Sequence, residues 1–551
     1  MRQTPLLALA ALAATLACAP EKSDAARQTV VIAVGEQSQL PVPVLKATRG
    51  RSADDEVADL LFLRLATLKA GGSTSGDSGF EPELARSWTR RDSVTLVFDL
   101  DPRARWHDGQ PVTARDVVFT LGLARDSAFS PTLAGLLSRI DSVAAEGDER
   151  VVVHYREPYA EQLYDAVYQV QPLPSHLLAG MTKDSMLHSA FVQHPVGDGP
   201  YRWVRADGGT LIELAADDAF FLGRPGIGRV LFRSATDPDA RLNMLLSGEA
   251  DVLAAVVPPL VNADRVTAAG SLRLVPVPST TLVYLLFNTR DPRDTTRPHP
   301  ILSDTKVRQA ITLALDRPSI VRAVLGPYGA VPYGPVSSLL WVSRIMPKAG
   351  AQDLAEARRL LASAGWADAN GDGILEKRGH PLRVSINVPA PSAARKAMAA
   401  LVQEQLRQAG IQADLAILDG PVHGERRNAG RFDIDFSGAS QDPTPAGLPQ
   451  SWSCHGGSNV ARYCDPAVDS LMTKAIVSLD GSADLWRAAI DRVEQDAPAV
   501  FLYSPIMVYG VSTRLGGVDI RPGAPWSRLW RWTATRAAPA RDSARRDTAG
   551  R

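Results

Sequence analysis

The sequence predicts an α/β protein with two or more lobes. The chain has 551 residues, of which 45% are hydrophobic and 22% are charged, so it is far longer than the segment that one hydrophobic core usually serves. Between residues 384 and 417, an alternating strand pattern, an amphipathic helix ended by Gly410 and a second alternating pattern follow one another. That order is typical of a βαβ unit, which places two parallel strands in one sheet.

The first 18 residues have the pattern of a lipoprotein signal peptide. Arg2 is followed by an uncharged apolar run, Leu6 to Ala17, which is shorter than the about 20 residues needed to cross a bilayer. The run ends at Leu16-Ala17-Cys18, which resembles a lipobox, so we expect Cys18 to carry the lipid. A cleaved signal without lipid is the alternative. Residues 19–28 are small and polar and are predicted to form a flexible tether.

The far end of the chain, residues 536–551, is rich in Arg, Ala, Asp and Ser without an apolar period, and is predicted to be disordered. Its arginines suggest a nucleic-acid tail, but Asp542 and Asp547 dilute their charge. The whole chain has 60 basic and 60 acidic residues, so no net charge attracts nucleic acid or anionic lipid. Nucleic acid is therefore not an expected partner.

Cys454 and Cys464 are the two cysteines left once Cys18 is assigned to the anchor. They stand ten positions apart in a segment rich in Gly, Ser and Asn, and an oxidising compartment favours a disulfide between them. Zinc binding is the rival interpretation, but a Cys-x9-Cys spacing with only His455 nearby is a poor zinc pattern. We predict the disulfide and no metal site.

The first part of the chain carries three clear elements. Residues 29–34 form a short apolar run typical of a strand, residues 55–68 have helical spacing of apolar side chains, and residues 94–100 alternate as a half-buried strand. After an Asp-Gly hairpin signal, Thr113 is placed to cap a helix that begins near Ala114.

The second part begins with a predicted strand over residues 281–288. Asp304 then caps a helix whose apolar residues recur every four positions on one face, with charged residues on the other side. A further helix is predicted over residues 353–364, where Gly365 ends it. Alternation over residues 432–436 predicts one more strand.

Four segments of the chain also resemble the motifs of one protein family. They are Glu83-Leu84-Ala85-Arg86-Ser87-Trp88, Trp106-His107-Asp108-Gly109-Gln110-Pro111-Val112-Thr113-Ala114-Arg115-Asp116-Val117, His194-Pro195-Val196-Gly197-Asp198-Gly199-Pro200-Tyr201 and Asp304-Thr305-Lys306-Val307-Arg308-Gln309-Ala310-Ile311. Together they resemble the family 5 extracellular solute-binding proteins, the peptide- and nickel-type receptors of ABC transporters. Asp198 stands where the family usually has Thr.

This resemblance implies the two-lobed periplasmic-binding-protein fold of type II. That is an α/β fold with mixed sheets and flanking helices, plus an extra domain on the first lobe. By this analogy the first lobe comprises residues 29–55, 195–280 and 506–535, the extra domain residues 56–194, and the second lobe residues 281–505. The first lobe is discontinuous because the chain crosses between the lobes more than once.

Motifs of common enzymes are absent from the sequence. It has no G-x-S-x-G, no G-x-x-x-x-G-K-[ST], no H-E-x-x-H and no strand followed by G-x-G-x-x-G, so we predict neither catalysis nor a cofactor. Residues 368–376 resemble the start of a calcium loop, but Gly379 stands where the chelating Glu would be needed. A hydrogen-bonded turn is the favoured interpretation, and calcium binding is the alternative.

The resemblance places the ligand in the cleft between the lobes. The ligand-binding candidates are Glu36, Gly438, Ser440 and Asp442, with Trp341 and Trp452 as apolar walls; core packing is the alternative for both tryptophans. In the family's peptide receptors an aspartate pairs with the ligand's α-ammonium, and here Ala439 stands at that position. A buried ammonium without a carboxylate costs several kcal/mol, so Asp442 or Glu36 would have to serve instead.

The expected function is therefore that of an extracytoplasmic substrate-binding lipoprotein of an ABC importer. As a monomer, it would capture a peptide or another small polar solute and deliver it to a membrane permease with separate ATPase subunits. The expected location is the cell envelope, in the periplasm or on the outer face of the cytoplasmic membrane. The alternative is a lipoprotein on the same scaffold that no longer transports and acts as an envelope chaperone or a sensory partner.

Overall fold

The computed structural model describes residues 29–35, 41–45, 53–344, 350–479 and 482–535. The predictions for the signal peptide with Cys18, for the tether, for Glu36 and for residues 536–551 lie outside the described residues. Within the described ranges, no helix has the length and the apolar character that a bilayer crossing requires.

The described part of the chain up to Pro278 alternates short strands and helices. Its strands are β1 (Thr29–Val34), β2 (Ala66–Leu68), β3 (Phe80–Pro82), β4 (Ala85–Asp92), β5 (Thr95–Leu100), β6 (Ile140–Glu146), β7 (Arg150–Tyr155), β8 (Tyr201–Asp207), β9 (Leu211–Ala216), β10 (Arg229–Ser234), β11 (Val252–Leu253) and β12 (Leu272–Pro278). Its helices are α1 (Ala53–Leu61), α2 (Ala114–Arg125), α3 (Pro131–Leu136), α4 (Gln162–Val167), α5 (Ser175–Leu178), α6 (Lys183–Leu187), α7 (Ala190–Gln193), α8 (Pro238–Ser247) and α9 (Val261–Ala268).

The remainder of the chain contains longer helices. Its strands are β13 (Thr281–Phe287), β14 (Arg290–Asp291), β15 (Asp294–Pro298), β16 (Gly329–Ala330), β17 (Glu376–Lys377), β18 (His380–Pro381), β19 (Arg383–Pro389), β20 (Gln412–Leu418), β21 (Ile434–Ser440), β22 (Ala499–Ser512), β23 (Leu515–Gly516) and β24 (Thr533–Ala534). Its helices are α10 (Thr305–Leu313), α11 (Arg317–Leu325), α12 (Leu354–Ser363), α13 (Ala393–Gln408), α14 (Gly420–Asn428), α15 (Pro449–Trp452), α16 (Pro466–Val477) and α17 (Ser482–Asp496).

Strand β22 joins the sheets of the two lobes into one 12-stranded sheet. The strand order is β20-β19-β21-β13-β22-β11-β1-β10-β9-β8, with β12 and β16 also paired to β22. Residues 499–503 of β22 pair with β13, whereas residues 506–512 pair with β12. This single strand therefore changes partners between residues 503 and 506, and the lobe boundary at residues 505 and 506 stays a prediction.

The hydrophobic cores follow the same division. Two clusters of buried residues consist only of residues between Leu282 and Tyr503. A third cluster combines residues 30–277 with residues 509–532, and it includes the four-stranded sheet β4-β5-β7-β6. The extra domain thus shares a core with the first lobe, which supports the predicted attachment between them.

Several local predictions are confirmed. Thr113 is the N-cap of α2, and the side chain of Asp304 caps α10 by accepting from the N–H of Lys306 at 2.9 Å. Strands β19 and β20 pair in parallel with α13 between them. In residues 368–376, the carboxylate of Asp368 accepts hydrogen bonds from the N–H groups of Gly371 and Gly373, which is the geometry of a hydrogen-bonded turn.

Two predictions need correction. The helix expected over residues 55–68 ends at Leu61, and Ala66–Leu68 pairs with β3 instead, which buries its apolar residues in a sheet. The charged residues of α10 do not all face solvent. Arg308 is only 4% exposed, because its long side chain reaches back to donate hydrogen bonds to the carbonyl groups of Leu302, Asp496 and Ala497.

Candidate functional site

An open pocket lies where several segments that are distant in the sequence meet. Its lining residues are Arg64, residues 67–72, Tyr168, Thr280, Leu339, Pro443, residues 521–524, Ser527 and Arg528. Leu339 and Pro443 belong to the stretch between residues 282 and 503, which has hydrophobic clusters of its own, whereas residues 64–168 and 521–528 lie in the segments that share another cluster. Because its walls come from both lobes, a solute in this pocket contacts both of them.

The wall from the extra domain is a tight turn after β2. The N–H of Lys69 donates to the carbonyl of Gly79, and the N–H of Gly72 donates to the carbonyl of Lys69, both at 2.9 Å. A Cβ atom on Gly72 would lie only 2.5 Å from the carbonyl oxygen of Gly79. Glycine is therefore required for this wall to form.

The wall from residues 521–528 is anchored by Trp526. Its ring is 1% exposed, and its indole N–H donates to Glu56 Oε2 at 2.7 Å. Three residues before Trp526, Gly523 has a φ of +74°, a backbone conformation that favours glycine. The buried ring of Trp526 therefore anchors this loop.

A chain of hydrogen bonds beside the pocket connects the extra domain to the second lobe. The indole N–H of Trp341 donates to Thr74 Oγ1 at 2.8 Å, and the hydroxyl of Thr74 donates to Glu161 Oε1. From the second lobe, the hydroxyl of Thr444 donates to Glu161 Oε2 at 2.6 Å. Burial raises the pKa of Glu161, while the hydrogen bonds from Thr444 and Thr74 oppose that rise. We call these four residues the Glu161 bridge.

A second acidic group stands one helical turn after Glu161. Burial raises the pKa of Asp165 to about 7, although its hydrogen bond from the Tyr159 hydroxyl, 2.6 Å long, opposes the rise. Tyr164 stacks on Tyr168 with ring centres 4.8 Å apart, and Tyr168 lines the pocket. Among the described residues, the buried Tyr164 hydroxyl finds no hydrogen-bond partner.

The predicted site residues lie in different surroundings in the structure. Trp341 belongs to the Glu161 bridge, and Asp442 precedes the lining residue Pro443. The hydroxyl of Ser440 lies 3.1 Å from that of Thr281, next to the lining residue Thr280.

None of the described candidates is a lining residue of the pocket, and Trp452 and Gly438 make other contacts. Trp452 is 3% exposed and packs edge-on against Tyr284 and Phe501 in the core of the second lobe, so it follows the core-packing alternative. Gly438 lies against the guanidinium of Arg395, to which an added Cβ would approach within 2.6 Å. Cys454 and Cys464 form a disulfide in the structure.

Sequence reasoning missed the charged residues at the pocket. Arg64 and Lys69 stand near one end of the chain and Arg521 and Arg528 near the other, and no motif connects them. Glu161 was missed for the same reason, since its partners Thr74 and Thr444 come from distant segments.

The family model described as bacterial extracellular solute-binding proteins, family 5 Middle, matches residues 79–459. The oligopeptide-binding protein AppA of Bacillus subtilis (strain 168) is 27% identical over 449 residues, which are 79% of this chain and 80% of AppA.

Solved structures show the same fold. The structure of AppA from Bacillus subtilis in complex with a nonapeptide has a TM-score of 0.71 at 26% identity and covers 93% of this chain and 100% of that chain. The ABC transporter substrate-binding protein CtaP of Listeria monocytogenes has a TM-score of 0.80 at 21% identity, with the same coverage. The family match spans most of the chain and confirms the resemblance of its motifs. The chain belongs to the bacterial extracellular solute-binding proteins of family 5.

Proposed function

We propose that this protein is a lipid-anchored receptor of an ABC importer, which captures a peptide or another small polar solute between its two lobes. The observation that carries the proposal is the pocket, whose walls come from both lobes and from the extra domain. The relatives support it, since AppA is named an oligopeptide-binding protein and a Pseudomonas aeruginosa relative, 27% identical, is named a probable di/tripeptide-binding protein.

The receptor acts by binding, without catalysis. A solute that contacts both lobes stabilises the closed arrangement over the open one. The Glu161 bridge contributes to the same closure. Two of its hydrogen bonds, from Trp341 to Thr74 and from Thr444 to Glu161, form only when the extra domain and the second lobe are together. The closed receptor then docks on a membrane permease, and separate ATPase subunits drive transport.

Anchoring through Cys18 completes the proposal. A lipid on this cysteine holds the receptor at the envelope and raises its effective concentration near the permease. Cys18→Ser is expected to abolish incorporation of labelled fatty acid and to move the protein to the soluble envelope fraction. Unchanged labelling of the variant would contradict the anchor while leaving the receptor function in place.

The proposal is tested by identifying what the protein carries. Protein purified without added ligand is denatured, and the released small molecules are analysed by mass spectrometry. A ladder of short peptides, or one defined polar solute, supports the receptor function. If nothing is released, small-angle scattering with a broad panel of solutes decides the matter. The absence of compaction with every solute would contradict import and favour a scaffold that no longer transports.

A further inference from the structure

We propose that residues 326–330 form a strap at the hinge between the lobes, and that this strap favours the closed receptor by packing against the predicted first lobe. We call these residues the hinge strap. The inference rests on the proposed receptor function, because it concerns the closure by which a solute is captured. The observations behind it are the pairing of the strap with β22 and its contacts with two different hydrophobic clusters.

The hinge strap lies at the point where β22 changes partners. Residues 506–512 of β22 pair with β12, and residues 499–503 pair with β13. Between these two ladders, Ser504 and Pro505 pair with Ala330 and Gly329 of the strap. The strap is therefore a third strand at the place where the chain passes from one predicted lobe to the other.

The hinge strap is fixed to the helix that precedes it. The N–H of Tyr328 donates to the carbonyl of Leu325, the last residue of α11, at 3.0 Å. A Cβ atom on Gly329 would lie only 2.5 Å from Cγ1 of Val321 and 3.0 Å from Cδ1 of Leu325. Both of these side chains belong to a buried cluster of the predicted second lobe. The strap is thus packed as part of that lobe.

The same strap also contacts the predicted first lobe. Tyr328 is half-buried and packs against a cluster whose buried members all lie outside residues 281–505. Leu260 packs against this cluster as well, and its Cδ2 lies 3.0 Å from the place that a Cβ atom of Gly326 would occupy. The strap therefore connects a hydrophobic cluster of one predicted lobe to a cluster of the other.

The two predicted lobes meet here along one edge of β22. The N–H of Ile506 donates to the carbonyl of Tyr328, and the carbonyl of Val508 accepts from the N–H of Val256, both at 2.9 Å. Alternate residues of a strand direct their backbone groups to the same edge. Residues 256–260 and 326–328 therefore form a non-covalent junction beside the continuous strand.

A swing of one lobe relative to the other changes this junction, since each of its sides belongs to a different predicted lobe. The apolar contact is lost when the two sides separate, so it favours the arrangement in which they touch. The Glu161 bridge forms in that same arrangement. The strap at the hinge and the bridge across the cleft thus favour closure from two different places.

The test measures the distance between the lobes by pulsed electron paramagnetic resonance, in the full chain without added solute. The two spin labels are attached at Asp239→Cys on α8 and Glu404→Cys on α13, which are both exposed positions. Cys454 and Cys464 are joined in a disulfide and take no label. Cys18→Ser removes the remaining thiol.

Tyr328→Ala and Leu260→Ala each remove one side of the junction. Either substitution should raise the ratio of open to closed molecules about three- to tenfold through the loss of apolar contact. The double variant should fall short of the product of the two effects, because both substitutions act on one contact. Val261→Ala is the matched control, since Val261 directly follows Leu260 and is 57% exposed. Thermal unfolding shows that each variant remains folded.

Three results would overturn the inference. Two distances in the same proportions in the wild type, Tyr328→Ala and Leu260→Ala would remove the strap and leave the closure of the receptor in place. The same conclusion follows if Val261→Ala opens the lobes as much as Tyr328→Ala does. A single distance that no variant changes would show that the lobes do not move, so the proposed closure would fail together with the strap.

Discussion

The carboxylate of Glu161 accepts a hydrogen bond from the hydroxyl of Thr444 at 2.6 Å, across 283 positions of sequence. Glu161 precedes α4 of the extra domain, whereas Thr444 follows β21 of the second lobe. Both residues are buried. The hydrogen bond therefore joins two parts of the chain that a cleft would otherwise separate. Thr444 directly follows Pro443, which lines the pocket.

Thr444→Val should favour the open arrangement of the lobes. The substitution keeps the shape of the side chain but removes its hydrogen bond to Glu161, which is worth about 1.5–3 kcal/mol for a charged acceptor, and also removes the acceptor of the Ala446 N–H. The closed population should therefore fall about 10- to 100-fold relative to the open one. Small-angle scattering without added solute should show a larger radius of gyration for the variant than for the wild type.

The control for this prediction is Thr296→Val, which removes an exposed hydroxyl bonded to Asp294 on a surface hairpin. It should leave the scattering curve unchanged. In a Glu161→Gln background the effect of Thr444→Val should shrink, because the charged partner is already gone. Identical scattering from Thr444→Val and the wild type would show that the bridge does not hold the lobes together.

What the sequence predicts well is local. The caps Asp304 and Thr113 are recognisable because an N-cap bonds to N–H groups two or three residues away. The βαβ unit is recognisable because the apolar period changes from two to 3.6 and back within one short segment. In both cases, the residues that form the structure are neighbours in the chain.

Hydrogen bonds between residues that are far apart in the sequence cannot be predicted in this way. Trp341 and Trp452 are the same residue type in similar surroundings of sequence, yet one donates to Thr74 of the extra domain and the other is packed among aromatic rings. The burial of Arg308 depends on carbonyl groups of residues 496 and 497, nearly 190 positions away. Only the assembled fold determines which partner a long side chain reaches.

Arg308→Met should destabilise the protein by about 2–5 kcal/mol. Methionine retains the apolar length of the side chain but leaves the carbonyl groups of Leu302, Asp496 and Ala497 without their donor in a buried place. Urea unfolding followed by tryptophan fluorescence should show a lower midpoint. Arg322→Met, at an exposed position of α11, is the control and should shift the midpoint little. Equal midpoints for the two variants would contradict the anchoring role of Arg308.

Removal of the Cys454–Cys464 disulfide should destabilise the second lobe moderately. The bond closes a loop with a sequence separation of 10, and cross-links of this size contribute about 2–3 kcal/mol through the entropy of the unfolded chain. Urea unfolding of the double variant Cys454→Ser/Cys464→Ser should match that of the reduced wild type. The double variant itself should not respond to reductant. A wild type that is equally stable with and without reductant would show that the bond contributes nothing.

Asp198 should make the stability of the protein fall as pH rises. Its side chain is 2% exposed, one oxygen accepts from the N–H of Leu63 at 2.9 Å, and the other has no hydrogen-bond partner among the described residues. Burial raises the pKa of Asp198 well above its ordinary 3.8, and the nearby carboxylates of Glu83 and Asp116 add to the rise. The contribution of such a group is present below its ordinary pKa and is lost as pH rises through the raised value.

Asp198→Asn should therefore gain stability relative to the wild type as pH rises above the ordinary pKa of 3.8. Asparagine keeps the acceptor for Leu63 and cannot ionise, so the variant lacks the cost of charging a buried carboxyl group. Thermal unfolding across this range gives the difference at each pH. Asp294→Asn is the control with the opposite sign, since hydrogen bonds from Thr296 lower the pKa of the exposed Asp294. The stabilising contribution of the Asp294 carboxylate is present above its ordinary pKa of 3.8 and is lost as pH falls through the lowered pKa. A difference between Asp198→Asn and the wild type that does not change with pH would mean that Asp198 keeps one protonation state throughout.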